Sequence, residues 1–386
     1  MLTPRSSLAR RVLTALDASP SRIPILLGGC GSGRSTLVQQ VRERGGRTAS
    51  QYIDVERTAT TPERFYRAVL AASPFPATEP APVGARAAFD ATLGFLARAR
   101  TGGGEPVTFV LDEFLELRTF ESFPGLRRVL HELVDGLAAS GNRFILTSRY
   151  VARALRLLRD RSARFEVIHV PALTAEDVYD ILELGATSPG DAHDAEFLAR
   201  TVQSLADGRP AYVRALADEL AAVRDHGGPG ASDPISALAA LLAPHGVLAR
   251  RCEFSYELRL HRARGYGALK AILEILAEEE GLTLTEISQR MQRTPGSTKD
   301  YLSWLEDVDL IAARQKRYSF ADPLLRVWVR LYCRASAPTE DEIAREVHRY
   351  ALPRLPQASE PALVGVAAGG GPAEEEKKGW GIIEID

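Results

Sequence analysis

Cysteine is scarce: Cys30, Cys252 and Cys333 are the only three in 386 residues. An odd number of widely spaced thiols argues against a disulfide frame and for reduced thiols in a cytosolic setting, and none of the spacings is that of a metal site. Net charge is close to absent, at −2. No global field therefore draws the chain to nucleic acid or to a membrane, and any such contact has to come from a local patch. Long apolar runs are missing as well, both at the N-terminus and elsewhere, so the expectation is a cytoplasmic protein with no membrane partner. What remains is 45% hydrophobic and 25% charged, an ordinary globular composition with length for two or three cores.

Against that background one stretch stands out. Ile23 to Val41 reads IPILLGGCGSGRSTLVQQV. A short apolar run (Ile23, Ile25, Leu26, Leu27) passes into four glycines within six residues, and helical spacing follows at Leu37, Val38 and Val41, which predicts strand, loop and helix. Gly28 and Gly33 with Ser35 and Thr36 fit the GxxxxGK[ST] template of a phosphate-binding loop (Walker A) except that lysine is lacking and Arg34 stands in its place. Gly28, Gly29, Gly31 and Gly33 let the loop, with Cys30 and Ser32 between them, turn successive N–H groups toward an anion; the helix N-terminus adds its own. The Ser35 hydroxyl would ligate magnesium. A guanidinium is wider and planar where an ammonium is compact, so nucleotide binding is better supported than hydrolysis. The plain alternative is a glycine-rich turn between a strand and a helix. Cys30 is either a redox brake or a small residue that fits.

Elsewhere in the first half, Ser6 to Leu16 has helical spacing with Ser6 or Ser7 as a cap, and Gln51 to Val55 reads as a strand. Thr61 and Pro62 open another helix. Ser73 to Gly84 is a proline- and alanine-rich loop, and Ala85 to Arg100 a helix. Val107 to Phe114, VTFVLDEF, is an apolar strand ending in paired acids. A buried strand has no use for Asp112 and Glu113 unless they face a site at its C-terminal end. Asp112 would then hold magnesium through water and Glu113 polarise the attacking water; the alternative is a strand that ends in an acidic turn. After a helix over Leu126 to Leu137, Arg143 to Arg149 (RFILTSR) ends its strand in the same way, so Thr147 and Arg149 reach toward a γ-phosphate or stay solvated. Arg153, Arg156, Arg159, Arg161 and Arg164 are either a solvated helix face or a source of an arginine finger for a second copy in a homo-oligomer. Phe165 to Val170 is a fifth strand. Five strands alternating with helices predict a three-layer parallel α/β domain.

Past Pro171 the pattern is all helix: Thr174 with Asp177 forms a capping box, helices follow over Phe197 to Leu205 and Tyr212 to Val223, and a glycine-rich linker runs from His226 to Pro234. Between Gly267 and Arg334, three helices and a hairpin (Ile311 to Phe320, with Arg314, Lys316 and Arg317) read as a winged helix. Its third helix sets Lys299 against Asp300, Glu306 and Asp307, which phosphates repel, so protein contact is expected ahead of DNA, with DNA left to the basic hairpin. A helix over Glu340 to Tyr350 precedes a low-apolar tail, Pro353 to Gly379, and the terminal WGIIEID is a docking segment for a partner or an uninvolved end.

In this order the chain resembles the archaeal-type ATPases of the STAND and AAA-related branch of P-loop NTPases. GGCGSGRST at 28 to 36, VLDEF at 110 to 114 (Walker B), ILTSR at 145 to 149, PALTAEDVYDIL at 171 to 182, DGRPAYV at 207 to 213 and YSFADPLLRVWVRLY at 318 to 332 carry the likeness. The resemblance implies an α/β P-loop NTPase core (1–170), a helical lid (171–246), a winged-helix domain (262–335) and a partly disordered tail (336–386). It implies an ATP-driven switch with ATP and Mg2+ as ligands, Arg149 as γ-phosphate sensor and Pro210 near the adenine. Arg34 departs from the family's lysine, which bears on turnover.

Overall fold

The computed structural model describes residues 5–45, 50–76, 82–183, 189–225, 233–262 and 265–356. The chain divides into a compact unit over Met1–Leu355 and a second over Pro356–Asp386, of which only Pro356 is described. Most of the expected tail, the terminal WGIIEID, residues 226–232 of the glycine-rich linker and 77–81 of the proline-rich loop lie outside the described residues.

The first part of the compact unit alternates helix and strand: α1 (Ser6–Asp17), β1 (Ile23–Leu27), α2 (Arg34–Gly45), β2 (Ser50–Asp54), α3 (Val55–Thr58), α4 (Pro62–Ala71), α5 (Ala85–Arg98) and β3 (Thr108–Asp112). A 3-10 segment, Phe114–Ser122, leads to α6 (Val129–Ala139), β4 (Arg143–Ser148), α7 (Val151–Leu158) and β5 (Phe165–His169). The five strands form one sheet in the order β2-β3-β4-β1-β5, every pairing parallel. β1 is buried along its whole length, as a strand covered on both faces must be. Successive side chains divide between two layers. Leu26, Val110, Ile145 and Ile168 pack with Val12 of α1 and Leu37 of α2, whereas Ile25, Leu27, Phe109, Leu111, Phe144 and Leu146 pack with α4, α5 and α6. On that second face Phe109 stacks on Phe144 and meets Phe75 and Phe95 edge-on, all at centroid separations of 5.8 Å.

Small differences from the sequence reading have local causes. β2 runs over Ser50–Asp54, one residue earlier than expected, because the Asp54 side chain accepts from Arg57 N and starts α3 at Val55. α1 begins at Ser6, so neither Ser6 nor Ser7 caps it: Arg5 is the N-cap residue, without a side-chain cap. Its guanidinium is used elsewhere, as described below. The Thr61 cap with Pro62 and the Thr174–Asp177 capping box form as expected.

The second part is helical: α8 (Ala175–Ile181), α9 (Pro189–Leu205), α10 (Pro210–Asp225), α11 (Pro234–Leu242) and α12 (Val247–Arg262). The third contains α13 (Tyr266–Glu278), β6 (Leu282–Thr283), α14 (Leu284–Arg290), α15 (Pro295–Asp307), β7 (Ile311–Arg314), β8 (Arg317–Phe320), α16 (Pro323–Tyr332) and α17 (Glu340–Ala351). Its strands make an antiparallel sheet in the order β6-β8-β7. α16 serves two cores: Leu324, Val327 and Leu331 face the α8–α11 layer, while Leu325, Trp328 and Val329 face the α13–α15 side. Ile343, Val347, Tyr350 and Ala351 bury α17 in the α8–α11 core, and Tyr350 Oη donates to Leu205 O at 2.9 Å. The helix expected within the tail is thus part of the compact unit.

Candidate functional site

The C-terminal ends of β1, β3 and β4 lie side by side in the sheet, so the glycine loop, the paired acids and Arg149 come together at one edge, where open α/β sheets bind their ligands. The loop spans 28–33 between β1 and α2. Gly31 and Gly33 both have φ of +80°, the left-handed conformation that side chains resist. A Cβ on Gly28 would stand 2.7 Å from Ser32 Oγ, so a larger residue there would push the Ser32 side chain aside. Ser35 and Thr36 are exposed on the first turn of α2, which has no acidic residue there and presents its free N–H groups to an anion.

At the end of β3 the two acids have different partners. The Asp112 carboxylate accepts from the Tyr52 hydroxyl on β2 and the Thr147 hydroxyl on β4. Thr147 Oγ1 also accepts from Glu113 N at 3.1 Å. Thr147 is fully buried, so it orients both acids and does not reach out toward a ligand. Burial and then the neighbouring Asp112 push the Tyr52 hydroxyl well up from its ordinary value, which keeps it a proton donor. Glu113 has a left-handed backbone (φ 54°) that turns its side chain away from the strand. Its Oε1 accepts from Arg34 Nη2 at 2.7 Å and lies 3.2 Å from Arg149 Nε; its Oε2 accepts from Arg149 N at 3.0 Å. Burial opposes the charge, yet Arg34 and Arg149 hold the carboxyl below the usual range. Arg149 also pairs with Glu56 of α3. The result is a partly buried row of alternating charge, Arg34, Glu113, Arg149 and Glu56.

Spare donors remain beside that row. Ser32 Oγ and Arg34 Nη1 are buried with no partner among the described residues. A buried guanidinium N–H without an acceptor is costly, and phosphate oxygens are the chemistry that would satisfy it at a glycine loop. The residues therefore fit an anionic phosphate. For the metal, Ser35 and Asp112 stand on α2 and β3, and no cluster of three or more His, Cys, Asp or Glu occurs among the described residues. One hydroxyl and one carboxylate would suit only a magnesium ion that keeps most of its waters. Pro210 opens α10, and its Cγ lies 3.3 Å from where a Cβ on Gly33 would be. Arg5, Gly33, Thr36, Leu37, Gln40, Leu173 and Pro210 surround a cavity of only about 10 Å³ there. Arg5 fills this place, donating from Nη1 to Ser32 O at 2.5 Å and from Nη2 to Pro171 O at 2.8 Å.

Sequence reasoning missed a second group of residues. Arg209, named only within the DGRPAYV stretch, donates from Nη1 to Cys30 O at 3.0 Å and from Nη2 to Ala321 O at 2.6 Å. It is 3.4 Å from Asp322, which caps α16 and accepts from Tyr212 Oη at 2.6 Å. Arg209 thereby ties the glycine loop to the start of α16. Arg259, 2% exposed, donates from Nη1 to Asp309 O at 2.6 Å. No motif marks it; the one signal is its position on the buried stripe of α12 with Cys252, Tyr256 and Leu260. Although burial opposes it, Arg259 with Arg149 and Arg34 pulls the Cys30 thiol below its ordinary value, whereas burial pushes Cys252 and Cys333 up. Outside the site, Asp307 at the end of α15 pairs with Arg156 of α7. The acidic third helix is thereby turned toward the α/β part, while Arg314, Lys316 and Arg317 stay exposed at the hairpin tip. Among the described residues no helix is long and apolar enough to cross a membrane.

No protein-family model matches the sequence, and no curated protein matches it. Solved structures are similar in fold. The Walker-type ATPase PABY2304 of Pyrococcus abyssi aligns over 84% of this chain and 95% of its own, at 17% identity and a TM-score of 0.58. Orc1 of Aeropyrum pernix, solved in complex with DNA, aligns over 84% and 91% at 17% identity and a TM-score of 0.47. Cdc6p of Pyrobaculum aerophilum aligns over 92% and 96% at 13% identity and a TM-score of 0.41. The parallel sheet and its helices are the α/β fold of P-loop NTPases.

Proposed function

We propose that this chain binds ATP with magnesium, hydrolyses it slowly, and uses the nucleotide state to set how its parts are arranged. The carrying observation is the pair of buried, partnerless donors at the glycine loop, Ser32 Oγ and Arg34 Nη1, beside a carboxylate clamped by Arg34. The Pyrococcus abyssi protein, described as a Walker-type ATPase, points the same way. In this reading the backbone of Gly28, Gly29, Cys30, Gly31, Ser32 and Gly33 cradles the phosphates, Arg34 and Thr36 border them, and Pro210 borders the base once Arg5 has moved. Ser35 and Asp112 would hold magnesium, which neutralises phosphate charge when bound. Glu113 orients water, and Arg149 reports the terminal phosphate through its link to Glu113.

The same reading divides the chain into an NTPase core (1–170), a helical lid (171–246), a winged helix (262–335) and a tail beyond, in the STAND and AAA-related style, in the cytoplasm and with a protein partner. Arg209 couples loop, lid and winged helix. Calorimetric titration with MgATP tests the core of this: Gly33→Val and Ser35→Ala lose binding, and unchanged affinity in both would sink the reading. A second reading is favoured by the exposed Arg314, Lys316 and Arg317: a nucleotide-held regulator that touches duplex DNA through the hairpin. It requires a salt-dependent mobility shift that neutralising those three residues removes; no shift at low salt dismisses it.

A further inference from the structure

Asp309 stands in the turn between α15 and β7 with a left-handed backbone (φ 56°). Its Oδ2 lies 3.3 Å from the point where a side chain on Gly29 would begin, and Arg209 Nη1 lies 3.2 Å from that same point. A side chain at 29 would crowd both groups where they approach the loop. Arg259 holds the turn from the other side through its bond to Asp309 O, and Arg259 Nε is left buried without a partner among the described residues. Arg34, whose Nη1 is in the same condition, adds a third guanidinium to the field around Asp309.

A carboxylate at a glycine loop, in the field of three arginines, resembles a phosphate in the sign of its charge, with fewer oxygens and less charge. It leaves donors unused that a phosphate would use. It is also poorly held. Burial pushes the Asp309 carboxyl up to about 6 although Arg259, Arg209 and Arg34 pull the other way.

We propose that Arg259 is a phosphate ligand supplied by α12, and that the Asp309 carboxylate keeps its place beside Gly29 of the loop until a nucleotide's terminal phosphate displaces it. The inference rests on the nucleotide reading of the loop. It adds that seating of the Asp309 turn on the loop and occupancy by phosphate exclude one another.

The test is calorimetric titration of the natural chain, Asp309→Asn, Arg259→Gln and the double variant with two probes, MgATP and magnesium tripolyphosphate, which carries the phosphates without the base. Asp309→Asn is expected to tighten both probes about tenfold and Arg259→Gln to weaken both by a similar factor, within the usual range of coupling between sites. In the Arg259→Gln background, Asp309→Asn should gain less than about threefold, because the competed-for group is gone. A purely structural Arg259 lowers the melting temperature without making Asp309→Asn a gain. If the natural chain binds both probes and Asp309→Asn leaves them unchanged or weaker, the inference is overturned and the nucleotide reading stands. If neither probe binds any of the chains while all melt cooperatively, both fall. Asp309→Asn removes only a charge, so the test holds even where Arg259→Gln does not fold.

Discussion

Arg34 Nη2 and Glu113 Oε1 are 2.7 Å apart, so the residue that replaces the loop lysine is bonded to the acid expected to polarise water. The pair is nearly buried, with side-chain exposures of 10% and 8%. A carboxylate held this way is a weak base, and it has to leave the guanidinium before it can orient a water molecule. On the proposed nucleotide reading of the loop, the hydrolytic step is thus restrained from within.

Restraint of this kind is reversible by substitution. Lysine at 34 lacks the second guanidinium nitrogen, so in Arg34→Lys the Glu113 carboxyl relaxes toward its ordinary basicity. Steady-state hydrolysis of MgATP should rise several-fold to about tenfold, within what a positioned general base contributes. Glu113→Gln should abolish turnover in either background while leaving ATP affinity within about threefold. Turnover retained in Glu113→Gln would remove Glu113 from the chemistry.

The hydroxyl of Thr147 has a role that can be separated from ligand binding. It donates to Asp112 and accepts from Glu113 N in a fully buried position. Thr147→Val keeps the shape and leaves an N–H and a carboxylate oxygen without their partner, at a cost of about 1–3 kcal/mol. Denaturant unfolding of the nucleotide-free protein reads this directly; an unchanged midpoint would mean that Tyr52 alone orients Asp112.

How far the sequence reaches is visible in these same residues. The glycine loop, VLDEF and ILTSR were legible because each is a local pattern, an apolar run that ends abruptly in polar groups, and parallel strands place such ends together. Boundaries shifted by a residue where a side-chain cap, Asp54, decided the start of a helix. Arg5, Arg259 and Asp309 were not legible as neighbours of the loop, and Arg209 was legible only as part of the DGRPAYV stretch. Each acts on the loop across a large sequence separation, and a single arginine on a helix or an aspartate in a turn carries no periodic signal. The 3-10 segment after Glu113 was missed for a related reason: it follows from one left-handed residue and not from a spacing.

The limit of the compact unit gives another prediction. α17 contributes Ile343, Val347, Tyr350 and Ala351 to the core of the helical layer, and Arg330 of α16 pairs with its Glu346. A chain shortened to residue 356 should unfold at the same denaturant midpoint as the full chain. One shortened to residue 335 exposes that core, with a loss of roughly 5 kcal/mol or more from the large side chains alone. Equal midpoints for all three lengths would show that α17 is dispensable.

The last prediction concerns pH and needs no nucleotide. Asp309 is faced by Arg34 on α2, Arg209 ahead of α10, Arg259 on α12 and Asp322 at the start of α16. With burial as the largest cause, its carboxyl lies at about 6 in the folded chain, against about 3.9 for an unfolded aspartate. A group whose folded value is raised favours the folded state fully below the unfolded value and loses that contribution as pH rises through the folded one. The natural chain should therefore lose stability relative to Asp309→Asn between about pH 4 and pH 7, by roughly 3 kcal/mol. Below that window the two should differ by a constant amount, because the carboxyl is protonated in both folded and unfolded chains. Parallel melting curves across the whole range would show that Asp309 is ionised at ordinary strength, held by its arginines without strain, and much harder for a phosphate to displace.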